Sequence, residues 1–196
     1  MPRNDRLMPP PGRGRRLARA RCRACLAAAG VLLAVATLAA ESIRVTPLAR
    51  DDRLLVSFVM KDGFTDAVRE AISSGLTTMF IYDVELRRAA AVWFDRTIAA
   101  ATISASVRFD NLTRRYQVTR MLDGRVEDSR MVDDADVVEK LMTEFEKLAL
   151  FRTGTLEPNA EYYVRVRARM RPRNALVFLP WDRASASGIG KFTFIP

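Results

Sequence analysis

The chain has 196 residues, 32 Lys and Arg against 23 Asp and Glu for a formal net charge of +9, and no histidine. Lack of imidazole excludes Ser-His-Asp and Cys-His nucleophiles and His-ligated zinc, copper or iron, so any metal would need carboxylates. Both cysteines, Cys22 and Cys25, fall within the first forty residues, which leaves residues 41–196 without disulfide or thiol chemistry.

Arg13, Arg15, Arg16, Arg19, Arg21 and Arg23 precede an uncharged run of 17 residues from Ala24 to Ala40. A basic stretch followed by an apolar one predicts a signal peptide or an N-terminal membrane anchor over residues 1–40. The run is at the lower limit of the roughly 17–25 residues that cross a bilayer as a helix. Small residues at Thr37 and Ala39 suit cleavage after Ala39, and retention as an anchor is the other outcome. Arg15-Arg16 lacks the flanks of a twin-arginine signal, and Cys22-Arg23-Ala24 is the wrong approach to a lipidated Cys25. The first forty residues carry 8 of the 32 basic residues and one of the 23 acids, so the remainder holds 24 against 22 and nets about +2. That near-neutral balance removes the case for nucleic acid. The C-x-x-C at Cys22 lies beside the apolar run and not in a redox domain.

From Ser42 on, strand patterns cover Ile43 to Leu48 and Leu54 to Met60, with Asp51-Asp52 in a turn between them. Phe64, Ala67, Val68, Ala71 and Ile72 share one helical face, and Gly75 follows where a left-handed cap belongs. Thr77 to Arg88 reads as a strand, followed by Trp93 in VWFDR. Ile103, Ala105, Val107 and Phe109 alternate with polar residues, turn at Asn111-Leu112-Thr113 and continue into Tyr116-Gln117-Val118-Thr119, which predicts a hairpin. Val126 to Val132 adds a strand. A second helix is predicted from Asp133 or Asp134, with Val137, Val138, Leu141, Met142, Phe145 and Leu148 on one side. Tyr162 to Met170 alternates strictly, Arg171 to Ser187 reads as a long surface loop containing Trp181, and Gly188-Ile189-Gly190-Lys191 reads as a turn into Phe192 to Ile195. Trp93 and Trp181 each suit either packing with a locally bonded indole or an exposed anchor. About eight strands without strand–helix alternation predict a mainly β domain (α+β by helix content), an antiparallel two-sheet, sandwich-like fold with two amphipathic helices after the N-terminal segment.

The most distinctive pattern is Arg165, Arg167, Arg169 and Arg171 at alternate positions of one strand, which puts four guanidiniums on one sheet face about 6.5–7 Å apart. They form either a docking strip for an anionic partner or a solvated face paired with acids such as Asp83 or Glu85. Asp51-Asp52 and the group Asp133, Asp134, Asp136 and Glu139 lack calcium-loop spacing, and the second group suits the start of a helix. No catalytic, cofactor or metal constellation stands out. Carboxylate chemistry, as in a hydrolase or glycan-acting enzyme, would need Asp83 with Glu85, or Asp95 with Asp110, to converge.

The order LTTMFIYDVELRR, VWFDR, VRFDNLTRRYQV, an amphipathic helix, LEPNAEYYVRVRARM and FLPWDR resembles the bacterial family called domain of unknown function 4390, over about Ser42 to Pro196. The resemblance implies an exported, mainly β, envelope-associated domain with no assigned activity, and it carries over no catalytic residue. The resulting expectation is a periplasmic protein, or one on the outer face of the inner membrane, that binds or adapts without catalysis. Its partner would be an envelope protein or an anionic lipid or polymer, with the membrane met only through residues 1–40.

Overall fold

A computed structural model describes residues 42–89, 95–172 and 186–196. The N-terminal segment with Ala39, Trp93 and Trp181 lies outside these residues. Nine strands and two helices are described: β1 (Ile43–Arg50), β2 (Arg53–Met60), α1 (Asp66–Ser73), β3 (Thr78–Arg88), β4 (Arg96–Asp110), β5 (Arg115–Leu122), β6 (Arg125–Val132), α2 (Ala135–Thr143), β7 (Glu144–Arg152), β8 (Glu161–Pro172) and β9 (Ala186–Thr193). They form two antiparallel sheets that do not close into a barrel, one ordered β1-β2-β7 and the other β6-β5-β4-β3-β8-β9. The fold is mainly β, as the strand patterns predict.

The turns follow from residues that tolerate left-handed backbone. Asp51 and Asp52 both take positive φ, 51° and 58°, in a two-residue hairpin whose twist matches its strands. Asp123 and Gly124 do the same between β5 and β6. Thr65 caps α1 by accepting from the Val68 amide. Past its end, Gly75 donates to Ile72 O at 2.9 Å and Leu76 to Ala71 O at 3.2 Å, a Schellman closure that uses the left-handed φ of Gly75. Asp134 caps α2 by accepting from Asp136 N at 2.8 Å, and Asp133 pairs with Arg115, so the acidic group at this helix start is accounted for by capping and pairing.

Phe58 of β2, Phe145 of β7 and Tyr82 of β3 join the sheets, with ring centroids 4.7 to 5.2 Å apart. Tyr82 is fully buried and donates its hydroxyl to Met142 O at 2.7 Å. Burial pushes its phenol pKa far up, with the nearby Arg120 charge opposing. Three strands cannot cover the inner face of six, and the helices supply the rest. Val68 and Ile72 of α1 and Val138 and Met142 of α2 enter the same core, and Arg69 pairs with Glu139 between the two helices at 2.9 Å.

Three sequence expectations are corrected. The second helix stops at Thr143, and Phe145 and Leu148 belong to β7. Between Phe58 and Val56 of β2, β7 advances from Phe145 to Leu148, and between Val56 and Leu54 it advances from Leu148 to Phe151. Each step gains one residue through a bulge, with Lys147 at φ 48°, so apolar residues recur every third position and imitate a helix. Gly188-Ile189-Gly190-Lys191 is not a turn but the middle of β9. A Cβ on Gly188 would lie 1.9 Å from Ile43 O, and one on Gly190 2.7 Å from Val45 O, so these glycines let β9 approach β1. Of the loop predicted from Arg171 to Ser187, Arg171 and Pro172 belong to β8 and Ala186 and Ser187 to β9, and residues 173–185 lie outside the described residues.

Candidate functional site

Strand β8 lies beside β3 in a register that sets Arg165 opposite Glu85, Arg167 opposite Asp83 and Arg169 opposite Ile81. Even-numbered residues of both strands fill the core, and odd-numbered ones face outward. Arg165 donates to Glu85 at 2.5 Å, Arg167 reaches the other oxygen of Glu85 at 3.3 Å, and Arg169 meets Asp83 at 2.7 Å. Three of the four predicted arginines thus share one face and pair with the two predicted acids. The backbone of Arg171 continues the strand opposite Met79, and its side chain lies outside the described residues.

Pairing does not neutralise this face. Arg87, one step further along β3, approaches Glu85 at 3.9 Å, so one carboxylate serves three guanidiniums. The Nε donors of Arg87 and Arg165 are buried with no hydrogen-bond partner among the described residues. Lys191 of β9 stands exposed opposite Tyr163, whose hydroxyl donates to Asp95 at 2.5 Å. Five cations therefore share the face with Asp83 and Glu85, while Asp95 closes one end. The side chains of Arg167 and Arg169 remain 46% and 48% exposed. On the other side of β3, the residues of β4 opposite Ile81, Asp83 and Glu85 are Ser104, Thr102 and Ala100, short enough to leave the row open.

Burial alone would push the Glu85 carboxyl up, but the hydrogen bond and charge of Arg165, with Arg167 and Arg87, hold it below the usual carboxylate range. A general acid needs the opposite shift. With its folded pKa depressed, Glu85 contributes stability above its unfolded pKa and loses it as pH falls through the folded one. Urea titrations should show Glu85→Gln less stable than wild type at neutral pH, the gap closing on acidification. A gap independent of pH would show that its charge is irrelevant.

The second predicted carboxylate pair does not converge. Asp95, just before the 15-residue β4, and Asp110 at its far end stand about 50 Å apart at strand rise. Asp110 is used locally, accepting from Leu112 N at 2.9 Å and from the Thr113 hydroxyl at 2.9 Å. Among the described residues no cluster of three His, Cys, Asp or Glu has metal-binding geometry, and no helix is long and apolar enough to cross a membrane.

One charged residue escaped the sequence reading. Arg120 shares inward parity on β5 with Tyr116, Val118 and Leu122 and lines a cleft of about 490 Å³ between β5–β6 and β7. The signal was an arginine at a core-facing position, masked because the strand pattern fades after Thr119. A second, more apolar cavity of about 310 Å³, lined by Met60, Val68, Phe80, Ala168 and Met170, opens elsewhere on the domain.

Residues 36–175 match the family model described as Domain of unknown function (DUF4390). The chain belongs to this family. No curated protein and no solved structure matches the chain. The DUF4390 match takes in β1 to β8 with Arg165, Arg167, Arg169, Arg171, Asp83, Glu85 and Arg120, and β9 lies beyond it. The DUF4390 description assigns no activity, so function has to be argued from the side chains.

Proposed function

We propose that residues 41–196 form a non-enzymatic adaptor domain, exported across a bacterial-type inner membrane, that docks an acidic protein partner on the arginine face of the larger sheet. The observation that carries this reading is the surplus of cations around Glu85, of which Arg167 is half-exposed, flanked by the short side chains of β4. Export rests on the basic and apolar segments of residues 1–40. A protein fits better than a lipid surface, because the row alternates guanidinium and carboxylate and residues 41–196 net only about +2. Exposed ion pairs are worth about 0–1 kcal/mol each, so the half-exposed Arg167 and Arg169 can exchange intramolecular acids for a partner's at little cost to the fold.

A polyglutamate peptide and anionic phospholipid vesicles serve as probes at low salt. Replacing Arg165, Arg167 and Arg169 together by Gln should weaken peptide capture about tenfold or more while circular dichroism stays native. Glu85→Gln should strengthen capture, because it removes the competing carboxylate. Unchanged capture by the triple variant, or capture of vesicles and not of the peptide, overturns the reading.

A further inference from the structure

Arg120 is a cation turned toward the core. It points between the sheets where β7 faces β5 and β6, the side of the sandwich opposite the glycine contact of β9 with β1. Its Nε and Nη2 donate to Leu141 O at 2.7 and 2.5 Å, and Nη2 donates also to Glu144 O at 2.8 Å. Its guanidinium lies over the Phe145 ring, 4.6 Å from the centroid. These contacts explain how an arginine is held here, since the free carbonyls at the end of α2 carry partial negative charge. They leave Nη1 without a hydrogen bond among the described residues.

Among the described residues no carboxylate bonds to this guanidinium. Asp128, the nearest acid in charge terms, is taken by Arg130 at 2.5 Å. Burial pulls the Arg120 pKa down, with Asp128 opposing. The cleft beside it has an apolar wall of Ile103, Leu122, Leu148 and Leu150 and a charged rim of Arg53, Glu127, Asp128 and Arg130, and its volume of about 490 Å³ suits a small molecule. With Asp128 held by Arg130, the free guanidinium edge of Arg120 beside the leucine wall suits a ligand with a single anionic head and an apolar body. A bare anion would leave the leucine wall wet, and a neutral chain would forgo a charge-assisted hydrogen bond to Nη1.

We propose that this cleft binds a medium-chain organic carboxylate, its head on Arg120 and its chain against Leu122, Leu148 and Leu150. The site is separate from the arginine face and independent of the docking role given to it.

Calorimetric titration of the purified full-length chain with decanoate tests this, with decanol as the uncharged control. Decanoate should bind saturably at one site, and decanol about tenfold or more weakly. Leu150→Asp, which puts a like charge on the wall without touching Arg120, should weaken decanoate by a similar factor. The Gln variant of Arg165, Arg167 and Arg169 should bind decanoate as wild type does. In the wild-type chain, decanoate should shift the NMR signal of the Arg120 side chain, which keeps the test independent of whether a variant folds. Absence of saturable binding, equal affinity for decanol, or shifts confined to Arg165, Arg167 and Arg169 would overturn the proposal.

Discussion

Phe145→Ala should cost about 3–5 kcal/mol, a large part of the about 5–15 kcal/mol that holds a domain folded. Phe145 stacks on Phe58 at 4.7 Å, meets the Tyr82 edge at 5.2 Å and carries Arg120 over its outer face, so truncation opens a cavity where the two sheets join. The loss also strips the ring from a half-buried guanidinium, which adds a polar penalty to the apolar one. Leu148→Ala on the same strand, at a half-buried position, should cost clearly less. Denaturant midpoints of the two variants decide this. Equal costs would mean that the aromatic cluster is not what holds the sheets together.

Gly188→Ala should destabilise by about 1–3 kcal/mol or more through overpacking. The added Cβ would stand 1.9 Å from Ile43 O and 2.7 Å from Ile43 C, both backbone atoms that no rotamer change can move. The effect arises only after β9 meets β1, so it should appear in the unfolding rate and in hydrogen exchange at Ile43. Gly124→Ala is the contrast, because that glycine has φ +80° with nothing within 4 Å and pays only for left-handed backbone, about 1–2 kcal/mol. If Gly188→Ala proves as mild as a surface change, β9 does not sit against β1 as described.

These two positions also show which parts of the fold were legible beforehand. Strands that obey period two over a long run, such as β3, the paired part of β4 and β8, announce themselves, and so does the side on which Arg165, Arg167 and Arg169 stand. The sequence pattern puts Phe145 in the core but on a helix, whereas it belongs to β7. Its spacing to Leu148 and Phe151 comes from two bulges, and a bulge changes the period without any residue type that marks it. Gly188 and Gly190 suggested a turn because glycine usually punctuates, whereas here they serve a close approach of two backbones that only tertiary structure defines. The arginine row could be seen in the sequence as a row but not as a balance of charge. That Glu85 serves Arg87, Arg165 and Arg167 together depends on the β3–β8 register, which no local pattern specifies. Arg120 was hidden for the same reason, since its partners at Leu141 and Glu144 come from a helix end packed against its strand.

Charge on the outer face of the larger sheet, and not the fold alone, is what we propose holds a partner. A photo-crosslinking residue in place of Ile189, which is 42% exposed and sits opposite Arg165, reads this directly in intact cells. A discrete adduct with an acidic envelope protein should form in the wild-type background, be lost when Arg165, Arg167 and Arg169 become Gln, and increase with Glu85→Gln. The same adduct in all three backgrounds, or no adduct in any, would contradict it.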